Sequence, residues 1–424
     1  MMGMTMAEKI LARHSGRKGV SAGEFVTAEV DQVCIYDTLV GLNEDMERAG
    51  LEGGLTRIWD KDRVVVLIDH SCPAMDKNVN AAIKHVKQRE IVKRLELPHF
   101  FDVKAGICHQ VMLDKGFVAP GELVLVADSH TTIYGGVNCG GTGVGEQELA
   151  WVLAKGSLWF MVPPTVKINV SGRLGVGVMG KDVFLKVSGD YGVEVGSYKS
   201  MEWCGDAVNE MSLDGRICIA NQSVELGAKF SLFECDQKVL DFVIPRARRP
   251  FTPVAPDADA EYESVIEIDG GKIVPLVAQP HGFEVVKPAD QYGNVFINEA
   301  IVGGCANGRL EDIAMAAKIL KGRKVHHDVR CIIGPASWEI YMAAMKAGYL
   351  QTLIEAECLV VHPHCGPCTG VMGTLAPGEV CITSTSRNFK GRMGSPEAFI
   401  YLASPATVAA SAVTGHITDP RCFL

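Results

Sequence analysis

The stretch HPHCGPCTG, residues 362–370, contains Cys365 and Cys368 in a C-x-x-C pair, and a third cysteine, Cys305, lies 60 residues before the first of them. The chain has no second C-x-x-C pair. A structural zinc site normally closes four ligands in close pairs. A pair plus one distant cysteine can instead hold an iron–sulfur cluster through three thiolates and leave one iron open. A redox dithiol uses the same pair, so both interpretations stay open on this stretch alone.

The composition describes a large globular chain that is rich in free thiols. Its 424 residues, 47% of them hydrophobic, suffice for two or three domains with separate cores. We find neither a membrane-length apolar run nor a signal peptide, so we expect a cytoplasmic protein that binds no membrane. Fourteen cysteines without a secretion signal favour reduced thiols and a metal over disulfides. The net charge of −9 argues against a nucleic-acid partner.

Two short apolar runs each end in an aspartate that is followed closely by a histidine. VVVLI precedes Asp69 and His70, and LVLVA precedes Asp128 and His130. Such runs predict strands buried on both faces, whose carboxyl ends line the ligand crevice of an open α/β sheet. A carboxylate beside an imidazole fixes its tautomer and raises its basicity, which suits a general acid near neutral pH. Loop histidines beside capping aspartates are the alternative interpretation.

Two other stretches near these pairs carry weaker signals. The glycine-rich GGVNCGGTGVGEQE fits neither a dinucleotide fingerprint nor a P-loop, and it predicts a tight turn into a helix. The segment GICHQ predicts a short loop around His109, where a solvated or core histidine is the ordinary explanation.

The middle of the chain suggests a domain boundary and one helix of interest. Pro163-Pro164 precedes an alternating strand pattern, so we divide the chain into three α/β domains over residues 1–164, 165–290 and 291–424. The stretch MSLDGRICIANQSVELGAK predicts a helix that places Asn221 and Glu225 on one face. A polar face exposed to solvent is the ordinary explanation of this pattern.

Three predicted strands of the last segment end at reactive or charged side chains. They end at Cys305, at the HPHCGPC stretch, and at SRNFKGRMG with Arg387 and Arg392. A helix is predicted over residues 310–320, which places Cys305 at a strand-to-helix turn, and helix amino ends favour thiolates. Guanidinium groups bind carboxylates bidentately, so the two arginines indicate a carboxylate substrate.

The combination of DHSCPA, ADSHT, GGCANGR, CGPCTG and RNFKGRMG resembles the aconitase superfamily over nearly the whole chain. It is most similar to the large subunit of the two-subunit 3-isopropylmalate dehydratase and homoaconitase group. The resemblance implies three α/β domains around a central iron–sulfur cluster, without the family's swivelling domain. It implies that Cys305, Cys365 and Cys368 bind a four-iron four-sulfur cluster, whose fourth iron would bind the substrate hydroxyl and carboxylate as a Lewis acid.

The resemblance also implies roles for the remaining residues. Glu225 matches the glutamate paired with His109, and Asn221 matches the asparagine beside the cluster. The histidines would protonate the leaving hydroxyl and order the iron-bound water. The implied catalytic residues are Asp69, His70, His109, Asp128, His130 and Glu225, and the implied substrate-binding residues are Ser129, Asn221, Arg387 and Arg392.

The family's catalytic base is a serine on the swivelling domain, and nothing in this sequence up to ITDPRCFL resembles that domain. We therefore expect a hydro-lyase subunit that is inactive alone and needs a separate small subunit. Its expected substrate is a 2-hydroxy di- or tricarboxylic acid. We place 3-isopropylmalate, of leucine biosynthesis, first, homocitrate or homoaconitate second, and a substituted malate such as 2,3-dimethylmalate third. A zinc or redox binding module is the alternative from another class.

Four positions depart from the family pattern. Gly304 and Ala306 replace hydroxyl residues beside the first cysteine, Ser386 replaces an asparagine, and Tyr36 replaces a histidine of an early motif. These changes indicate altered surroundings for the cluster or a different substrate.

Overall fold

The computed structural model describes residues 3–74 and 78–424, which form two compact units. Unit 1 comprises the described residues of Met1–Ile168 together with Gly196–Trp203 and Ala228–Ile266. Unit 2 comprises Asn169–Val195, Cys204–Gly227 and Glu267–Leu424. The chain first crosses between the units close to the boundary predicted after Pro164, and the division into three domains stays a prediction.

The first part of the chain alternates helices and strands. In order, these are α1 (Met6–His14), β1 (Phe25–Glu29), β2 (Gln32–Ile35), α2 (Leu39–Arg48), β3 (Val64–Leu67), α3 (Val79–Leu95), β4 (His99–Phe101), α4 (Cys108–Asp114), β5 (Leu123–Val126), β6 (Gly140–Gly143), α5 (Glu146–Lys155), β7 (Ser157–Met161) and β8 (Thr165–Ser171). No helix in the described ranges has the length and apolarity needed to cross a membrane.

The alternation continues to the end of the chain. The elements are α6 (Gly180–Tyr191), β9 (Ser200–Cys204), α7 (Asp206–Glu210), α8 (Leu213–Gln222), β10 (Phe230–Phe233), α9 (Gln237–Val243), β11 (Ser264–Asp269), β12 (Leu276–Ala278), β13 (Val286–Pro288), β14 (Glu299–Gly303), α10 (Gly304–Asn307), α11 (Leu310–Leu320), β15 (Arg330–Gly334), α12 (Trp338–Lys346), α13 (Tyr349–Glu355), β16 (Leu359–Val360), β17 (Val380–Thr383), β18 (Phe399–Ala403) and α14 (Pro405–Thr414).

Unit 1 contains a five-stranded parallel sheet in the order β4-β3-β2-β5-β6. The apolar runs predicted as strands became β3 and β5, and every residue of both strands is buried. The chain proceeds from β2 to one side and later returns to the other side at β5, so the topological switch point lies between β2 and β5. Ligand crevices of open parallel sheets form at the carboxyl ends of the strands at this position. The ends of β2, β3 and β5 therefore meet at one edge.

The glycine-rich stretch predicted as a tight turn instead contains the edge strand β6. The helix predicted at the end of this stretch is α5, which begins at Glu146, but the strand was not predicted because glycine is normally depleted in strands. Here glycine is required by close packing. A Cβ atom on Gly141 would lie 2.2 Å from the carbonyl oxygen of Thr131, and one on Gly143 would lie 2.5 Å from that of Asp128. The strand thus supports the backbone that follows β5 from very close range.

Unit 2 contains a seven-stranded sheet in the order β13-β12-β18-β17-β14-β15-β16, in which β18, β17, β14, β15 and β16 run parallel. The three strands predicted in this segment are β14, β16 and β17. The chain leaves β14 toward β16 and returns on the other side at β17, which places a second switch point between β14 and β17. The helix predicted over 310–320 is α11.

Helices α6 and α8 of unit 2 approach each other closely. A Cβ atom on Gly180 would lie 2.4 Å from the carbonyl oxygen of Gly215. The predicted helix is α8, followed by a 3-10 turn over Ser223–Leu226 and ended by Gly227 at φ 81°. The left-handed conformation at Gly227 is the usual helix-ending role of glycine.

The amino end of α1 depends on a buried carboxyl group of unit 1. The Glu202 carboxylate accepts hydrogen bonds from the backbone N–H groups of Met6, at 2.6 Å, and Ala7, at 3.3 Å, and from the Tyr262 hydroxyl. Burial raises the pKa of Glu202 from 4.5 to about 7, although these hydrogen bonds lower it. The folded state therefore holds a proton that the unfolded chain releases between these pH values.

Replacing Glu202 with Gln is expected to remove this contribution to the pH dependence. The raised pKa stabilises the folded state below pH 4.5, and this stability is lost as the pH rises through 7. The neutral amide should therefore stabilise the protein at pH 8 by up to about 3 kcal/mol and change little at pH 4.5. Thermal unfolding across this range measures the difference, with the exposed Glu261→Gln as control. A pH-independent difference between Glu202→Gln and the parent chain would contradict the assignment.

Candidate functional site

His70 follows β3 and is oriented by a buried carboxylate. Its Nδ1 lies 2.7 Å from Asp69 Oδ1, and Asp69 Oδ2 accepts the backbone N–H of Cys108 at 2.7 Å. Burial would raise the pKa of Asp69, but the interactions with His70 and Cys108 hold it below its ordinary value. Asp69 therefore stays ionised and fixes the Nδ1–H tautomer of His70.

Asp128, which follows β5, lies among three imidazoles of unit 1. Its Oδ1 is 2.8 Å from His109 Nε2 and 3.6 Å from His130 Nδ1, and it accepts the His130 backbone N–H at 2.9 Å. Its Oδ2 is 3.7 Å from His70 Nε2. Although burial would raise the pKa of Asp128, the hydrogen bonds from His109 and His130 hold it well below its ordinary value. The carboxylate thus supplies a fixed negative charge to all three rings.

His109 lies in α4 rather than in the predicted loop, and its side chain is buried. The loop prediction failed because the short helix is buried on every face and has no polar stripe. The ring contacts Asp128 through Nε2, and its Nδ1 lies 3.3 Å from the Tyr134 hydroxyl. The implied pairing of His109 with Glu225 stays a prediction.

The end of β2 adds two residues that the sequence reasoning did not assign to the site. Asp37 accepts the backbone N–H groups of Asp69, at 3.1 Å, and Ser71, at 2.7 Å, and so holds the turn after β3. The Tyr36 ring stacks on His70 with centroids 4.2 Å apart and planes at 24°. Their position after a buried strand, like that of the two Asp-His pairs, was the signal that could have found them.

Cys305 lies directly after β14 in unit 2, at the switch point. Its Sγ is 3.3 Å from Ser386 Oγ, which follows β17, so these two atoms join the ends of adjacent parallel strands. Arg309 donates from Nη1 to the Cys305 carbonyl oxygen at 2.8 Å, and also to that of Ala306. The cysteine is thereby fixed from both sides.

Cys365 and Cys368 lie on the turn after β16, and both are buried. Arg392 donates from Nε to the Cys368 carbonyl oxygen at 3.1 Å and from Nη2 to Cys368 Sγ at 3.4 Å. The turn is tight, since a Cβ atom on Gly366 would lie 2.5 Å from His364 Nε2. Arg392 therefore brings a permanent positive charge to a cysteine sulfur.

Arg387 and Glu225 form an ion pair within unit 2, with Nε 2.6 Å from Oε1. Asn221 lies at the end of α8, four residues before Glu225, and is fully buried. Among the residues that the structure describes, its Nδ2 has no hydrogen-bond partner. A buried amide donor without a partner costs free energy, so this group is suited to an acceptor that binds there.

These surroundings fit an iron–sulfur cluster. None of the fourteen cysteines in the described residues forms a disulfide, and Cys305, Cys365 and Cys368 are buried in one unit. Arg392 brings a positive charge and a hydrogen-bond donor to Cys368 Sγ, which suits an anionic, thiolate-bound cluster. A structural zinc site would need a fourth ligand of the same kind. The donor set therefore favours the cluster over zinc.

Lys181 is a buried cation whose sequence pattern could have predicted a functional residue. Lys181 occupies the apolar stripe of α6 with Phe184, Leu185 and Ser188, at the spacing of one helix face, and all four side chains are fully buried. A lysine in such a stripe is unusual because lysine is almost never fully buried unless it is paired.

Comparisons with known proteins agree with these features. Residues 8–415 match the family described as Aconitase family (aconitate hydratase). The chain is similar to the 3-isopropylmalate dehydratase large subunit 1 of Methanopyrus kandleri, with 44% identity over 100% of both chains. It is similar to the probable methanogen homoaconitase large subunit of Methanothermobacter thermautotrophicus, with 41% identity over 99% of this chain and 98% of that one. In fold, it is similar to Thermococcus kodakaraensis aconitase X (TM-score 0.50, 9% identity, 85% and 84% coverage).

The substitution Gly143→Ala is expected to displace Asp128 from the imidazoles. The added Cβ would lie 2.5 Å from the Asp128 carbonyl oxygen, and such overpacking costs about 1–3 kcal/mol. Crystal structures would show a longer His109 Nε2 to Asp128 Oδ1 distance, and thermal unfolding would show lower stability. The matched control is Gly145→Ala, whose Cβ would have its nearest contact at 3.6 Å. Equal stability and an unchanged distance in both variants would contradict the role given to β6.

Proposed function

Because this chain belongs to the aconitase family, we propose that it is the large, cluster-binding subunit of a hydro-lyase acting on 3-isopropylmalate. The observation that carries the proposal is full-length similarity to large subunits of that dehydratase, combined with three buried cysteines at the predicted positions, none of which forms a disulfide. Homoaconitase is the second candidate, because a relative of that name is 41% identical, nearly as similar as the first.

In this proposal, Cys305, Cys365 and Cys368 hold a four-iron four-sulfur cluster. The cluster supplies a Lewis acid that binds the hydroxyl and a carboxylate of the substrate. Ser386 and Arg392 contact two of the three sulfurs and keep them oriented. The unpaired amide of Asn221 is available to an acceptor of the cluster or the substrate.

We assign the proton transfer to the histidines of unit 1, with His70 as the proton donor. Its side chain is 29% exposed, whereas those of His109 and His130 are 2% and 6% exposed. Asp69 holds the proton on Nδ1, so the protonated ring can give the Nε2 proton to a leaving hydroxyl. Asp128 stabilises the charged ring from the Nε2 side, and stacking on Tyr36 limits its rotation. Positioned acids of this kind contribute about 10²–10⁴-fold to a rate.

Arg387 and Arg392 are proposed to bind substrate carboxylates. Arg387 is held by Glu225, which fixes the guanidinium before a substrate arrives. Because the guanidinium is already oriented, it loses little conformational freedom when it binds a carboxylate bidentately. Ser129, at the end of β5, is assigned only to the lining of the site.

The reaction also needs a base that removes a proton from the substrate carbon, and we propose that a small subunit supplies it. The relatives that this chain matches along their full length are named as large subunits. The substrate choice between 3-isopropylmalate and homoaconitate is then shared with that partner.

The cluster ligands are tested by single Cys→Ser substitutions at 305, 365 and 368. Each is expected to remove the iron and sulfide and the broad visible absorption of the anaerobically reconstituted chain, because three thiolates are the minimum for this cluster. Cys358→Ser and Cys139→Ser are controls at other buried cysteines and should retain both. Normal iron content in any of the first three variants would refute the ligand assignment.

The substrate is tested by anaerobic co-expression with candidate small subunits and an assay over 3-isopropylmalate, homocitrate and 2,3-dimethylmalate. We expect turnover of 3-isopropylmalate only when both chains are present, and a loss of about 10²–10⁴-fold in His70→Asn. Turnover of homocitrate alone would select the second candidate. Appreciable activity of the single chain would contradict the need for a partner.

A further inference from the structure

Lys181 is a fully buried cation of unit 2 whose hydrogen-bond partners are neutral. Its Nζ donates to Gln222 Oε1 at 3.0 Å and to the Thr385 carbonyl oxygen at 2.9 Å. Among the described residues, no carboxylate forms an ion pair with it. A buried ammonium without a counter-charge is strongly unfavourable, so a nearby anion would stabilise the charged form of this lysine.

The surroundings of Lys181 indicate which anion that is. Burial lowers the pKa of Lys181, whereas Cys218, Cys305, Asp312 and Cys368 act electrostatically to raise it. Two of these four groups are proposed cluster ligands. Cys218 is a thiol whose pKa burial raises to about 11, so it is neutral at pH 7.

Asp312 is the competing candidate for the counter-charge, and it has other partners. Its carboxylate accepts Asn307 Nδ2 at 2.9 Å and the Arg309 backbone N–H at 3.0 Å. Burial raises the pKa of Asp312 to about 7, which reduces its negative charge near neutral pH. The thiolates of a bound cluster remain as the dependable negative charge.

Lys181 also holds the backbone beside Cys305. The Thr385 carbonyl that accepts its proton precedes Ser386, whose Oγ lies 3.3 Å from Cys305 Sγ. Gln222, the other acceptor, donates from Nε2 to the Ser386 carbonyl oxygen at 3.3 Å. The ammonium therefore fixes the residue that contacts the first cysteine.

We propose that Lys181 is the buried counter-cation of the thiolate-bound cluster, a positioning residue that retains the cluster and raises its reduction potential. The inference rests on the cluster binding proposed above. It predicts opposite effects in the two states of the protein. Without the cluster, the ammonium is an uncompensated buried charge that destabilises the fold, and with the cluster it is stabilising.

The test compares Lys181→Met with the parent chain in the cluster-free and reconstituted forms. In the cluster-free form, the variant should melt at the same or a higher temperature. In the reconstituted form, the cluster of the variant should have a lower reduction potential. It should also lose iron to a chelator about tenfold faster, because removing one nearby positive charge weakens cluster binding by about tenfold. Lys181→Arg should restore the potential in part. Lys186→Met, which removes a half-buried lysine of α6 that pairs with Asp190, should change neither property.

A purely structural lysine would give a different pattern. Lys181→Met would then destabilise both forms alike, or fail to fold without the cluster, and leave the potential unchanged; either result overturns the inference. Failure of the parent chain to bind iron would instead refute the proposed cluster.

Discussion

The pairing of parallel strands on either side of a switch point positions the aspartates of unit 1 and Cys305 with Ser386 in unit 2. In unit 1, the pairing of β2 with β3 and β5 brings Asp37, Asp69 and Asp128 to one edge. In unit 2, the pairing of β14 with β17 brings Cys305 to Ser386. A strand slipped by one residue would turn these side chains to the other face. The continuous apolar runs that bury each strand therefore also set the positions of the reactive groups.

Charge is arranged in opposite ways in the two units. Unit 1 concentrates carboxylates around imidazoles, and the pKa values of Asp69 and Asp128 are lowered, so both carboxylates stay negative. In unit 2, Arg392 donates a hydrogen bond to the sulfur of Cys368, and Cys305 and Cys368 act electrostatically on the buried Lys181. Expelling hydroxide from a 2-hydroxy acid requires a proton donor and a Lewis acid, and we propose that His70 and a cluster held by the three cysteines supply them. Each of these roles is inferred from the side-chain contacts within a single unit.

Much of this could be predicted from the sequence, because buried parallel strands leave an unmistakable apolar pattern. The runs before Asp69 and Asp128 predicted β3 and β5, and the position of Cys305 after β14 was also predicted. The strand β6 was missed because its glycines are there for close packing, which only the fold reveals. His109 was misplaced because α4 is buried all round. The burial of Lys181 and the stacking of Tyr36 on His70 depend on tertiary neighbours. The sequence shows only that Lys181 lies in an apolar helix stripe and that Tyr36 follows a buried strand.

The central claim is that three cysteines of this chain hold a cluster with one iron free for substrate. The most direct measurement is an anaerobic crystal structure of the reconstituted chain, with anomalous diffraction at the iron edge. The account predicts a four-iron cluster bound by Cys305, Cys365 and Cys368, with the fourth iron bound by no protein side chain. A zinc ion, a disulfide between Cys365 and Cys368, or a fourth protein ligand on the cluster would contradict it.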